Sequence, residues 1–204
     1  MLQFIGNNRG MIGLTFTDIG LMIATGILLI SLYHLFFSDN FEEKDIMENI
    51  AEKIIINLQE ADTASFDYIK TLDIQDIRYK ISISPEYITI YNERKKIREN
   101  ILPSLWIRDN NDNWTNGTEL HIFLYEKFGD KGTIEDPIQN RILVKRYLTE
   151  EWNVSYERFL EKPFIIDLSK PIFIEKTFLY YDTNNDGIWM KGEEKQGFLM
   201  FYQI

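Results

Sequence analysis

The twelve residues Asp182-Thr183-Asn184-Asn185-Asp186-Gly187-Ile188-Trp189-Met190-Lys191-Gly192-Glu193 place oxygen side chains at loop positions one, three, five and twelve, with glycine at six. Calcium takes about six to eight hard oxygen ligands from a tightly wound loop. Asp182, Asn184 and Asp186 offer alternate side chains, Ile188 its carbonyl, a water near Met190 a further oxygen, and Glu193 both carboxylate oxygens. The expected cofactor is therefore a structural Ca2+ that neutralises carboxylates otherwise in mutual repulsion. The helical flanks of a calcium sensor are missing. Thr177-Phe178-Leu179-Tyr180-Tyr181 before the loop is β-like, and Gly192 and Gly197 weaken any long helix after it. The loop is expected to pin two strands together.

Little else in the chain points to chemistry. There is no cysteine, and the two histidines, His34 and His121, lie far apart in sequence without metal-ligand spacing. No phosphate-cradling or nucleotide motif occurs. Among 32 acidic residues no carboxylate pair stands out for acid-base work, so a non-catalytic protein is expected. Acceptor sequons occur at Asn113, Asn116 and Asn153, as Asn-Trp-Thr, Asn-Gly-Thr and Asn-Val-Ser. A net charge of −10 disfavours nucleic acid as a partner. The one basic run, Arg94-Lys95-Lys96-Ile97-Arg98, reads as a guard on a sheet edge.

The elements that position these residues begin with an uncharged apolar run over 19–37. Its length matches a bilayer's hydrocarbon core of roughly 30 Å at about 1.5 Å per residue, and its large side chains fall all round a helix. It ends in Leu35-Phe36-Phe37-Ser38-Asp39 without an Ala-x-Ala cleavage pattern, so a retained single-pass helix is favoured over a signal peptide. Arg9 before the run orients the N-terminus to the cytoplasm and the bulk of the chain outside, at the cell membrane or in a surface filament. The expected division is a cytoplasmic leader over 1–15, a transmembrane helix over 16–38, an amphipathic helix over 39–62 and an external β-rich domain over 63–204.

Beyond Asn40, Ile46, Met47, Ile50, Ile54 and Leu58 recur at intervals of three and four. Alternation over 77–83 and 87–91, either side of Ser84-Pro85-Glu86, predicts a β-hairpin. Further strands are expected over 120–125, 141–147, 163–167, 172–181 and 198–202. The fold class is α+β: a long N-terminal helix, membrane-spanning in its first half and amphipathic in its second, packed on a mostly antiparallel β-domain. Trp106, Trp114, Trp152 and Trp189 would serve that domain as core or rim, or furnish a contact surface.

A basic leader, then glycine, then a hydrophobic helix running into an amphipathic one and a β-domain resembles type IV pilins, pseudopilins and their archaeal relatives. The resemblance implies cleavage after a glycine by a dedicated peptidase and assembly of the exposed helix in a filament core. Cleavage after Gly13 would put Asp18 at the fifth place of the mature chain, where the family commonly carries glutamate. Cleavage after Gly10 would put Thr15 there. The expected function is a non-catalytic, membrane-anchored surface protein, structural or binding an unknown surface protein. Its alternative form is a pilin-like or pseudopilin subunit. The lipid bilayer and a homo- or hetero-oligomer formed through the N-terminal helix are the other expected partners.

Overall fold

A computed structural model describes the backbone of residues 8–74, 78–184 and 186–204; within its first helix, side chains are described over 19–33 and 43–63. The chain divides into two compact units, Met1–Ile46 and Met47–Ile204. The first helix, α1 (Asn8–Thr63), supplies the described part of the first unit and the opening of the second.

In the first unit the side chains of Leu21, Met22, Ile23, Ile27, Leu28, Leu29 and Ile30 are exposed. Thr25 turns its hydroxyl back onto the Leu21 carbonyl at 2.8 Å. Among the described residues no helix is long and apolar enough to cross a membrane. The side chains of residues 16–18 and 34–38 of the expected span lie outside those described. This finding corrects the transmembrane helix over 16–38. With it fall the single-pass anchored surface protein, its cell-membrane location, the bilayer and helix-mediated oligomer as partners, and the pilin-like plan. Gly10, Gly13 and Asp18, the expected processing and assembly residues, lie outside the described side chains.

The second unit is α+β. Two further helices, α2 (Gly117–Phe128) and α3 (Arg141–Glu161), join eight strands: β1 (Tyr68–Leu72), β2 (Lys80–Ile83), β3 (Tyr87–Tyr91), β4 (Lys96–Asn100), β5 (Leu105–Ile107), β6 (Phe164–Ile166), β7 (Ile172–Tyr180) and β8 (Lys195–Gln203). They form two four-stranded sheets, ordered β1-β7-β8-β5 and β4-β3-β2-β6. Among the described residues the named strands pair antiparallel except β5 with β8, where Trp106 lies opposite Met200.

The predicted hairpin is β2–β3, with Ile81 opposite Ile90. Its turn is held by the buried Ser84, whose hydroxyl accepts the Tyr87 amide at 3.0 Å. The basic run contributes β4, the outermost strand of its sheet, and Lys96, Arg98 and Glu99 there are exposed, as an edge guard requires. The stripe on the second part of α1 is Met47, Ala51, Ile54, Leu58 and Ala61, all buried at helical spacing, while Ile46 and Ile50 sit at its margin.

Two expected strands are helices. Residues 120–125 lie in α2 and 141–147 in α3. For α2 the caps decide the outcome. The Asn116 side chain accepts the Glu119 amide at 2.9 Å, the Glu119 carboxylate accepts the Thr115 amide at 2.7 Å, and Gly129 closes the helix at φ 91°. For α3, Asn140 accepts the Leu143 amide, and Val144, Leu148, Ser155 and Phe159 fall on one buried face.

The first sheet divides two cores. On one face Phe173, Leu179, Phe198, Met200, Tyr202 and Trp106 meet Leu120 and Leu124 of α2 and Val144 and Leu148 of α3. The other face presents Ile172, Ile174, Leu199 and Phe201, with the ring of Phe164 in β6 edge-on to Phe201 at 6.4 Å. On that face Lys176 bonds the Asp62 carbonyl at the end of α1.

Candidate functional site

The aspartate loop joins the two central strands of the first sheet. Tyr180 and Lys195 are the last residues paired across β7 and β8, and the Tyr181 amide extends the closure to the Glu194 carbonyl at 3.0 Å. Asp182, only 2% exposed, receives the Gly187 amide at 2.8 Å and the Asp186 amide at 3.3 Å. Asn184 accepts the Asp186 amide at 2.9 Å, and Asp186 in turn accepts that of Ile188 at 2.9 Å. The chain can wind this tightly because Gly187 adopts φ 84°, in the left-handed region that glycine enters without strain. Residue 185 lies outside the described residues.

At the loop's far end Glu193 accepts the Met190 amide at 2.7 Å, the Thr183 amide at 2.9 Å and the Thr183 hydroxyl at 2.8 Å. These donors, Met190 foremost, hold its carboxyl below the ordinary carboxylate range. Among the described residues no group of three or more His, Asp or Glu is gathered so as to hold a metal ion. Asp182 and Asp186 share one turn, whereas Glu193 is engaged by the loop's own amides. Of the expected set of Asp182, Asn184, Asp186, Ile188 and Glu193, the first four share the turn that Gly187 closes. The closing carboxylate would have to exchange Thr183 and Met190 for the ion.

The next residue faces elsewhere. Glu194 pairs with Lys145 and, at 3.4 Å, with Arg141, both on α3, and Lys145 foremost lowers its carboxyl pKa. Beside this pair an open cavity of about 630 Å³ lies between α3 and the strands β5 and β8, walled by Trp106, Trp152 and Phe198 with Ser104, Thr149 and Gln196 near them. Trp106 meets Trp152 edge-on at 5.0 Å and Phe198 at 5.7 Å.

Deeper on the same side of the sheet, just past β5, sits Arg108, 1% exposed. Its guanidinium lies 3.7 Å from the Trp114 ring centroid and donates through Nε to the Trp114 carbonyl at 2.9 Å. Asp112 at 3.5 Å and Glu151 at 4.0 Å compensate its charge, and Arg158 holds Asp112 at 2.9 Å and Asp109 at 3.8 Å. Burial lowers the Arg108 pKa, although a guanidinium stays protonated in proteins. The cluster ties the 108–115 loop to α3, an arrangement assisted by Ser155, which donates to the Ile107 carbonyl at 3.0 Å.

The three sequons fall in different settings. Asn113 is exposed in the 108–115 loop, Asn116 caps α2, and Asn153 is exposed in the middle of α3 with its partner Ser155 buried. His121 bridges the Lys131 carbonyl at 2.8 Å and the Thr177 hydroxyl at 3.2 Å, a structural role. Sequence reasoning missed Arg108, Glu194 and the aromatic cavity. The one available signal was an arginine set two residues past Trp106 in an otherwise apolar Leu-Trp-Ile strand.

No family model, curated protein or solved structure matches the chain.

Proposed function

We propose that this chain is a calcium-binding α+β domain in which residues 182–193 take the ion and fix the β7–β8 connection. The observation that carries the reading is the Asp182–Gly187 turn. A buried carboxylate, two amides folded onto it and a left-handed glycine at the sixth position support that reading, since a calcium loop needs a sharp turn at its sixth residue. The ion's contribution is structural. It neutralises Asp182, Asp186 and Glu193, and it replaces the Thr183 and Met190 donors at Glu193 with a charge that holds both loop ends. Because those donors compete, the affinity belongs in the weak part of the calcium range, a Kd on the order of 10⁻⁴ M.

Thermal unfolding of the full chain in calcium and in chelator tests this. Calcium at about a hundred times Kd should raise Tm by about 5 to 10 °C, and Asp186→Ala or Glu193→Gln should remove the shift. Terbium luminescence sensitised through Trp189 gives a second readout. Equal midpoints with calcium and chelator, together with no saturable terbium signal, would overturn the reading.

A further inference from the structure

The cavity beside α3 is independent of the cation loop's chemistry, and its walls restrict what can enter. At about 630 Å³ it is of ligand-binding size. Its aromatic wall is the half-buried Trp152, backed by Trp106 and Phe198, which are 6% and 2% exposed. The polar side mixes donors with acceptors. The Ser104 hydroxyl is exposed, and Thr149 spends its own proton on the Lys145 carbonyl at 2.8 Å and so faces a ligand as an acceptor. Gln196 accepts the Tyr181 hydroxyl at 3.2 Å through Oε1, which directs its amide nitrogen to other acceptors.

The charged groups there are already matched, since Lys145 and Arg141 both lie on Glu194. An anionic ligand would have to break that pair inside a protein of net charge −10, and a cationic one would have to compete with two basic side chains for a single carboxylate. What fits is an uncharged molecule with one apolar face for the Trp152 indole and hydroxyls around its edge that both give and accept hydrogen bonds. A sugar ring has this constitution: its axial C–H face stacks on aromatic rings, and its equatorial hydroxyls reach amide, hydroxyl and carboxylate groups. We propose that the cavity between α3 and β8 is a binding site for a neutral mono- or disaccharide, with Trp152 as the stacking surface and Gln196 and Thr149 reading ring hydroxyls.

The test is an NMR titration of the full chain, following the four indole N–H signals. The probes are glucose, galactose, mannose, N-acetylglucosamine and their 1,4-linked dimers, with adenosine as a flat, uncharged control. At least one sugar should shift the Trp152 and Trp106 signals saturably. Trp152→Ala should weaken that binding by about tenfold or more. Because Trp152 also packs against Trp106, Thr149→Trp is the second variant. It fills the mouth from an exposed helical position and should abolish the shift while the remaining indole signals stay native. No saturable shift with any of these sugars, adenosine binding in their place, or sugar binding unchanged in Thr149→Trp would each overturn the proposal.

Discussion

Arg108 is held twice by one residue: its guanidinium stacks on the indole of Trp114 and donates to the same residue's carbonyl at 2.9 Å. A single side chain thus fixes both the ring and the backbone of the loop that leads into α2. Removing it leaves the carbonyl without its donor and a void beneath the indole. Arg108→Ala should cost about 2 to 4 kcal/mol in urea unfolding. Arg108→Lys keeps the charge but not the planar stack, and should recover less than half of that. A loss below about 0.5 kcal/mol for the alanine variant would show the cluster to be energetically idle.

The acid limb of stability should follow Glu193 and Glu194. Both carboxyls titrate below their ordinary value of 4.5 in the folded chain, Glu193 through the Met190 and Thr183 donors and Glu194 through Lys145 and Arg141. As pH falls the unfolded chain takes up their protons first. Their contribution is therefore complete above about pH 4.5 and is lost below it, as the folded groups protonate. Glu194→Gln should lower stability at neutral pH and flatten the loss between neutral pH and acid. An acid limb of unchanged steepness in that variant would contradict the assignment.

At the alkaline end the sign reverses. Burial, reinforced by the charge of Glu151, pushes the Tyr147 hydroxyl up to about 12, and burial also raises Tyr181 and Tyr202. An unfolded tyrosine ionises near 10, so the stability these phenols contribute is whole below about pH 10 and declines above it. Phenolate absorbance should then rise in two steps: exposed tyrosines first, and the buried ones together with the loss of secondary structure. A single non-cooperative titration would show the buried phenols to be accessible.

Gly117 opens α2 where a side chain has no room. A methyl group there would come within 2.8 Å of the Thr177 β-carbon, and the Gly117 amide itself donates to Glu175 at 3.0 Å. Gly117→Ala should cost about 1 to 3 kcal/mol. At Gly20, where nothing lies within 4 Å, the same change should be neutral or favourable by up to about 1 kcal/mol. Comparison of the two midpoints separates close packing from helix propensity.

The clearest sequence signals that survived in the fold are those with a period. The β2–β3 hairpin and the buried stripe of α1 follow from alternation and three-four spacing, while β7 and β8 were found as apolar, aromatic-rich runs without a period. The errors at α2 and α3 arose where aromatic and β-branched residues gave a strand-like run, as in Leu120-His121-Ile122-Phe123-Leu124-Tyr125, while the deciding signals stood outside it at Asn116, Glu119 and Gly129. The apolar run over 19–37 was read by its length, its composition and the spread of its large side chains round a helix. Of the candidate site, the loop's oxygen pattern was fully visible. The Glu193 donors were not, because they are set by how the loop's own backbone folds back at Thr183 and Met190, and the aromatic cavity was not, because it depends on contacts between α3 and strands 40 or more residues away.

The placement of β8 bears on how the chain is made. This strand, Lys195–Gln203, lies between β7 and β5 and supplies Phe198, Met200 and Tyr202 to the aromatic core. A nascent chain that has emerged from the ribosome only as far as Tyr180 therefore holds Trp106, Trp114 and Leu179 with the middle of their sheet still absent. Such a chain exposes an unpaired edge and uncovered indoles to its neighbours on the polysome. The first sheet of this unit is complete only once Gln203 has cleared the exit tunnel.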